Sequence, residues 1–161
     1  MEALLLRAIA IADAGSSALP GLPQSSSDAR TVGCVPDPTY PFVPKSNRNL
    51  RAGQFWAVPL PCGRFACGRV MVPTSRIGPR VGFVAGLMEW VGDEPPSAAA
   101  LAGARVVDQG HAHIRTILHT GGEVLGCREL LDEGLRADPD PESTWGFMFI
   151  QKLAEHHFGR A

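Results

Sequence analysis

Five histidines and four cysteines carry most of the reactive side chains of this 161-residue chain, and their spacing decides what chemistry they can share. His111 and His113 stand two apart, so on a strand both imidazoles would leave the same face and supply half of a metal site. No second spaced pair completes it. His119 lies beside a Gly-Gly turn, and the adjacent His156 and His157 would point about 100° apart on a helix rather than lie one turn apart. Edge or exposed positions account for all five imidazoles, and no metal or other cofactor is expected. A thiol enzyme would need Cys67 or Cys127 beside a basic histidine. Cys127 reaches His113 only if residues 113–127 form a hairpin, and a free cysteine in a short apolar run is ordinarily a small core residue. Cys62 and Cys67 are near enough in sequence for a bridge, but with Cys34 and Cys127 they are too few and scattered for a disulfide scaffold. The run Gly121-Gly122-Glu123-Val124-Leu125-Gly126 lacks the Gly-Lys-Ser/Thr ending of a phosphate loop and reads as a turn. No catalytic constellation assembles, so the chain is read as a binding protein and not an enzyme.

Two charged surfaces could do the binding. Residues 30–80 carry eight bases against one acid, a net of +7, while residues 81–161 carry six bases against twelve acids, a net of −6. Arg64, Arg69, Arg76 and Arg80 cluster on and after a hairpin that also holds Trp56, the combination small barrels use to bind single-stranded nucleic acid. Trp56 has apolar neighbours on both sides, however, which suits a core position better than a stacking platform. Glu129, Asp132, Glu133, Asp138, Asp140 and Glu142 form the opposite kind of surface, one that would face a basic cleft. They also suit a solvated loop. Trp90, beside the Gly92 turn, is a further candidate anchor for a protein partner. If the two halves fold onto each other, the linear charge asymmetry disperses over the surface.

The elements that must position these residues begin with residues 51–72, where Pro61-Cys62-Gly63-Arg64 separates two apolar runs, the pattern of a β-hairpin. Strands are expected at about 53–59, 65–72 and 81–88, the last carrying Gly82 and Gly86 as signs of a bulge or sharp coil. Ser97 heads a short helix to Leu101. Val106-Val107, His113–Leu118 and Glu123–Cys127 read as further strands, with Gly121-Gly122 as a second hairpin turn. Ser143 or Thr144 caps a helix to about Phe158, with Trp145, Met148, Phe149, Lys152 and Leu153 at helical spacing; a strand at 145–150 is the competing reading. The fold class is mainly β (α+β at most): a small, strongly bent antiparallel sheet or SH3-like barrel with one C-terminal helix.

Hydrophobic residues make up 45% of the chain, enough for a core, and the 14 prolines and 18 glycines favour short strands and tight turns. Residues 1–49 read as an arm, mostly disordered or extended, in which Tyr40, Phe42 and Val43 lie between prolines and suit a strap against the domain. The β-rich domain is placed at 50–131, and an acidic loop and C-terminal helix at 132–161. Met1–Ala14 is apolar but interrupted by Arg7 and opens on Glu2, so neither an export signal nor a membrane span is expected. Reduced thiols and a cytoplasmic setting follow.

Gly53-Gln54-Phe55-Trp56-Ala57-Val58-Pro59-Leu60, then Gly63-Arg64-Phe65-Ala66-Cys67-Gly68-Arg69-Val70, resembles the immunity protein 26 family of bacterial polymorphic-toxin systems. Val81–Leu87, Ile114–Leu118 and Gly122-Glu123-Val124-Leu125-Gly126 are similar in character to that family's later strands, although a tryptophan often found near the position of Val124 is absent. The resemblance covers roughly residues 50–130. It implies a small β-rich cytoplasmic protein that binds a cognate protein toxin and neutralises it by stoichiometric occlusion, with no catalytic residues to carry over. A small-barrel nucleic-acid-binding protein acting through the basic hairpin is the alternative.

Overall fold

The hairpin at 51–72 forms as β1 (Gln54–Pro59) and β2 (Phe65–Val72), paired antiparallel with Trp56 opposite Gly68 and Val58 opposite Ala66. Gly63 closes its turn at a φ of 82°, a left-handed conformation that glycine adopts without steric conflict. The structure, a computed structural model, describes residues 38–77, 82–130 and 143–159, all within the unit Asp37–Ala161. After β2 come the single-turn helix α1 (Thr74–Ile77), then β3 (Phe83–Gly92), β4 (Val106–Ala112), α2 (Ile114–His119), β5 (Gly126–Cys127) and α3 (Phe149–Phe158).

The molecule is mainly β. Among the described residues five strands form one antiparallel sheet in the order β4-β3-β2-β1-β5, a meander whose fifth strand returns beside the first. Register shifts between Ala66 and Gly68, Val70 and Val72, and Leu87 and Met88 bend it. One of these shifts falls beside Gly86, opposite Ala85 and Val84, and Gly86 also leaves room for Met71.

Both faces of the sheet are covered, which is why β1 to β3 read as nearly continuous apolar runs. On one face Trp56, Val58, Ala66, Val70, Phe83, Ala85 and Leu87 meet Ile117 of α2 and Ile150 and Ala154 of α3. On the other, Phe55, Cys67 and Met88 pack with Leu101, and Met71, Val72 and Val84 form a smaller cluster. Each large apolar side chain so buried stabilises the fold by about 1.5–3 kcal/mol. The strap also forms: Phe42 and Val124 exchange both backbone hydrogen bonds, at 3.0 and 2.8 Å, and Tyr40 and Phe42 pack on the first core.

Four sequence expectations change. His113–Leu118 is not a strand but holds the helix α2, because Ile114 and Ile117 share one helical face that packs inward. The strand at 123–127 shortens to β5 and pairs with β1, so no 113–127 hairpin exists. The C-terminal helix starts at Phe149, after residues 143–145 have bonded to the sheet edge and a turn has closed with the Phe149 N–H donating to the Gly146 carbonyl at 3.0 Å. Residues 98–103 form turns, with Ser97 Oγ accepting from the Ala100 N–H at 3.2 Å, in place of a short helix. Among the described residues no helix is long and apolar enough to cross a membrane.

Candidate partner-binding surface

Where β4 ends, His113 turns the chain into α2, its Nδ1 accepting from the Arg115 N–H at 3.3 Å. Burying Ile114, Thr116 and Ile117 on a six-residue helix forces Arg115, Leu118 and His119 outward. The helix is pinned to the core through one hydroxyl: Trp56 Nε1 donates to Thr120 Oγ1 at 3.1 Å, and that hydroxyl donates to the Thr116 carbonyl at 2.7 Å. Asn47 Oδ1 accepts from the Ile114 N–H at 2.7 Å and fixes the other end.

The chain returns to the same place from Ser143. His111 N–H donates to the Ser143 carbonyl at 2.8 Å and Trp145 N–H to the His111 carbonyl at 2.7 Å, adding residues 143–145 to the free edge of β4. The Trp145 indole lies over Gly110, where a Cβ would come within 2.3 Å of the ring nitrogen. With Trp145 buried and Ile150 anchoring α3, the three residues between Gly146 and Ile150 have no interior to enter. Phe147, Met148 and Phe149 are 40, 41 and 41% exposed, and Leu118 on α2 is 41% exposed.

Phe147, Met148 and Phe149 share one depression, and Phe147 is tied to side chains of α2. Phe147 stacks on His119 at 5.7 Å between centroids and 14° between planes, and the Arg115 guanidinium lies 5.2 Å from its centre. His113 is 6.3 Å from the same ring, and Phe149 is 5.6 Å from Trp145. Gly146, Phe147, Met148, Phe149 and Lys152 line a shallow depression of about 280 Å³. The rim is cationic: neither Arg115 nor Lys152 has an ion-pair partner among the described residues. Single exposed apolar residues are ordinary, but a connected apolar group inside a polar rim marks a docking surface.

The residues singled out from sequence lie elsewhere. Trp90 is half-buried against Phe55, Cys67, Met88 and Leu101, on the sheet face away from α3, and its ring covers Gly92. Glu129 has an exposed side chain, while Asp132, Glu133, Asp138, Asp140, Glu142 and Arg80 fall outside the described residues. The basic hairpin does not form an arginine face. Arg69 is buried at 1% exposure and donates through Nη2 to the carbonyls of Arg128 and Glu129, the latter at 3.0 Å. Arg64 is half-buried and donates to the Phe158 carbonyl at 3.4 Å; Arg76 alone of the described three is fully at the surface.

The candidate chemical groups also separate. His111 is buried on β4 while His113 caps α2, so they share no face, and no cluster of three metal-ligating side chains occurs among the described residues. Cys62, Cys67 and Cys127 are all free thiols, and no Cys62–Cys67 bridge forms. Cys127 sits opposite Gln54 on β1 and points its thiol to the Ala52 carbonyl, not to His113. Hydrogen bonds from Arg64, chiefly its backbone, hold the exposed Cys62 thiol below its ordinary pKa, whereas burial pushes that of Cys67 well up.

The surface at Phe147–Phe149 does not emerge from the sequence, where Met148 and Phe149 read as part of the inner stripe of a helix and Phe147 has no assigned role. One signal was present: a helical stripe cannot take up three consecutive large apolar residues, Phe147, Met148 and Phe149. Comparisons with protein-family models, with curated proteins and with solved structures find no match.

Proposed function

We propose that this protein acts by stoichiometric binding of another protein, and that the partner is a toxin it neutralises. The observation that carries the reading is the exposed surface of Phe147, Met148 and Phe149 around one depression, with Phe147 stacked on His119 of α2. Aromatic residues, methionine and arginine are the types enriched at the centre of protein interfaces, and a few such anchors supply most of the binding energy. The elements beneath are anchored: the residue that ends α2, Thr120, is bonded to a core tryptophan, and α3 is rooted by Ile150 and Ala154. A surface on anchored elements has less to order on binding, which suits capture at equal stoichiometry. The resemblance of the β1–β2 hairpin to immunity proteins of polymorphic-toxin systems supplies the class of partner.

The test is protection. The full chain, used as bait, retains a single protein through nuclease treatment. That protein arrests growth when expressed alone and is tolerated when this chain is co-expressed. Met148→Asp weakens retention by at least about tenfold and removes protection, since a buried unpaired carboxylate at an interface centre is strongly unfavourable. Recovery of nucleic acid in place of a protein, or a captured protein whose toxicity this chain does not relieve, would overturn the proposal.

A further inference from the structure

We infer that the surface around Phe147 accepts an acidic, apolar segment of the partner, with a carboxylate seated at Arg115 and Lys152 and an apolar side chain in the depression between Phe147 and Phe149. The inference rests on the reading of this surface as the docking site and adds the chemistry of what docks.

Charge decides it. Arg115 lies against the Phe147 ring and Lys152 lines the depression beside that ring, so both cations border one apolar centre. Neither is compensated by a carboxylate among the described residues. Exposed pairs contribute little in water, but a cation beside an apolar surface gains when a partner excludes solvent around it. The arrangement would reject a basic segment, which would bring like charges together over the same ring. His113 and His119 add hydrogen-bond donors at the border without adding an acid.

Base stacking is the competing use of aromatic and cationic groups, and the geometry favours it less. Phe147 already stacks on His119 and lies against Arg115, so its ring has stacking partners within the chain. The apolar content of the surface, in Met148 and Phe149, exceeds what a phosphate track requires.

A peptide-display selection on the full-length chain tests this, with Met148→Asp protein as the counter-selection that removes binders of other surfaces. The expected survivors pair Asp or Glu with a large apolar residue. Their affinity falls at least about tenfold when the acid becomes the amide, and by a similar factor on Arg115→Gln/Lys152→Gln protein whose thermal midpoint is unchanged. Survivors that depend on Met148 but carry no acid, or that bind the double variant equally, would overturn the inference while leaving the docking surface standing. Absence of any Met148-dependent survivor would overturn the surface and the inference with it. Displacement of the survivors by a mixed-sequence single-stranded oligonucleotide would replace the acidic segment with nucleic acid.

Discussion

Glycines opposite large rings set the tightest constraints in this molecule. Trp56 faces Gly68 across the β1–β2 ladder, and a Cβ at residue 68 would stand 2.3 Å from its six-membered ring. Gly68→Ala is therefore expected to destabilise the fold by about 1–3 kcal/mol in urea titration, and an unchanged midpoint would refute this seating. Arg69, the next residue, tests a different kind of core. Arg69→Ala removes donors from the carbonyls of Arg128 and Glu129 and leaves a cavity, for a loss of about 2–5 kcal/mol, while Arg69→Met keeps the volume and loses less. Cys67 gives a pH dependence with a definite sign. Burial raises its pKa above the ordinary 9.0, so above that pH the unfolded thiol releases a proton that the folded one retains. Stability contributed by this group is full below about pH 9 and declines as pH rises beyond it; Cys67→Ala should flatten the alkaline limb whatever its effect on the midpoint. Cys62 shows the opposite displacement and is expected to alkylate in native protein at lower pH than an unperturbed thiol, with Cys67 protected until unfolding.

The strands of the hairpin were legible because two apolar runs flank a Pro-Cys-Gly-Arg turn, and local sequence and tertiary pairing agree there. Helix α2 was not legible. Ile114, Thr116 and Ile117 are β-branched, and the residue that caps the helix is a histidine instead of the usual Ser, Thr, Asp or Asn. What makes it helical is the burial of Ile114 and Ile117 and the bonds to Thr120 and Asn47, none of which spacing discloses. The start of α3 was misplaced for a related reason: residues 143–145 run along the β4 edge, with Thr144 bridged to His111, so that backbone is not available to the helix. The surface at Phe147–Phe149 is a by-product of that displacement. Hydrogen exchange checks the arrangement, since the Trp145 amide, outside any regular element, is expected to exchange as slowly as those of β4. Exchange at the rate of an exposed loop would contradict it.

At the scale of the whole molecule, irregular chain lies along one outer strand of the sheet, residues 143–145 beside His111 of β4, and the strap pairs Phe42 with Val124 just before β5. Chain lying along an edge leaves fewer backbone groups to template pairing with other chains. Two arginines of the basic half are turned to backbone carbonyls of the other half. Arg64 from the basic half bonds to Phe158 at the end of α3, and Arg69 holds the Arg128–Glu129 segment. An acidic surface as the recognition element would make capture depend on Glu129, Asp132, Glu133, Asp138, Asp140 and Glu142. The surface at Phe147 makes the reverse prediction: replacing all six by amides leaves retention of the partner within about twofold in a pull-down titration, and a larger loss would return the acids to the interface. The burial of Trp145 behind Phe149 has a practical consequence as well. Its indole is screened from solvent yet 5.6 Å from a residue at the proposed contact, so its fluorescence is a label-free optical gauge of that surface. In a Trp90→Phe background, with Trp56 sealed in the core as a constant reference, a shift in emission on adding partner would report occupancy from inside the molecule.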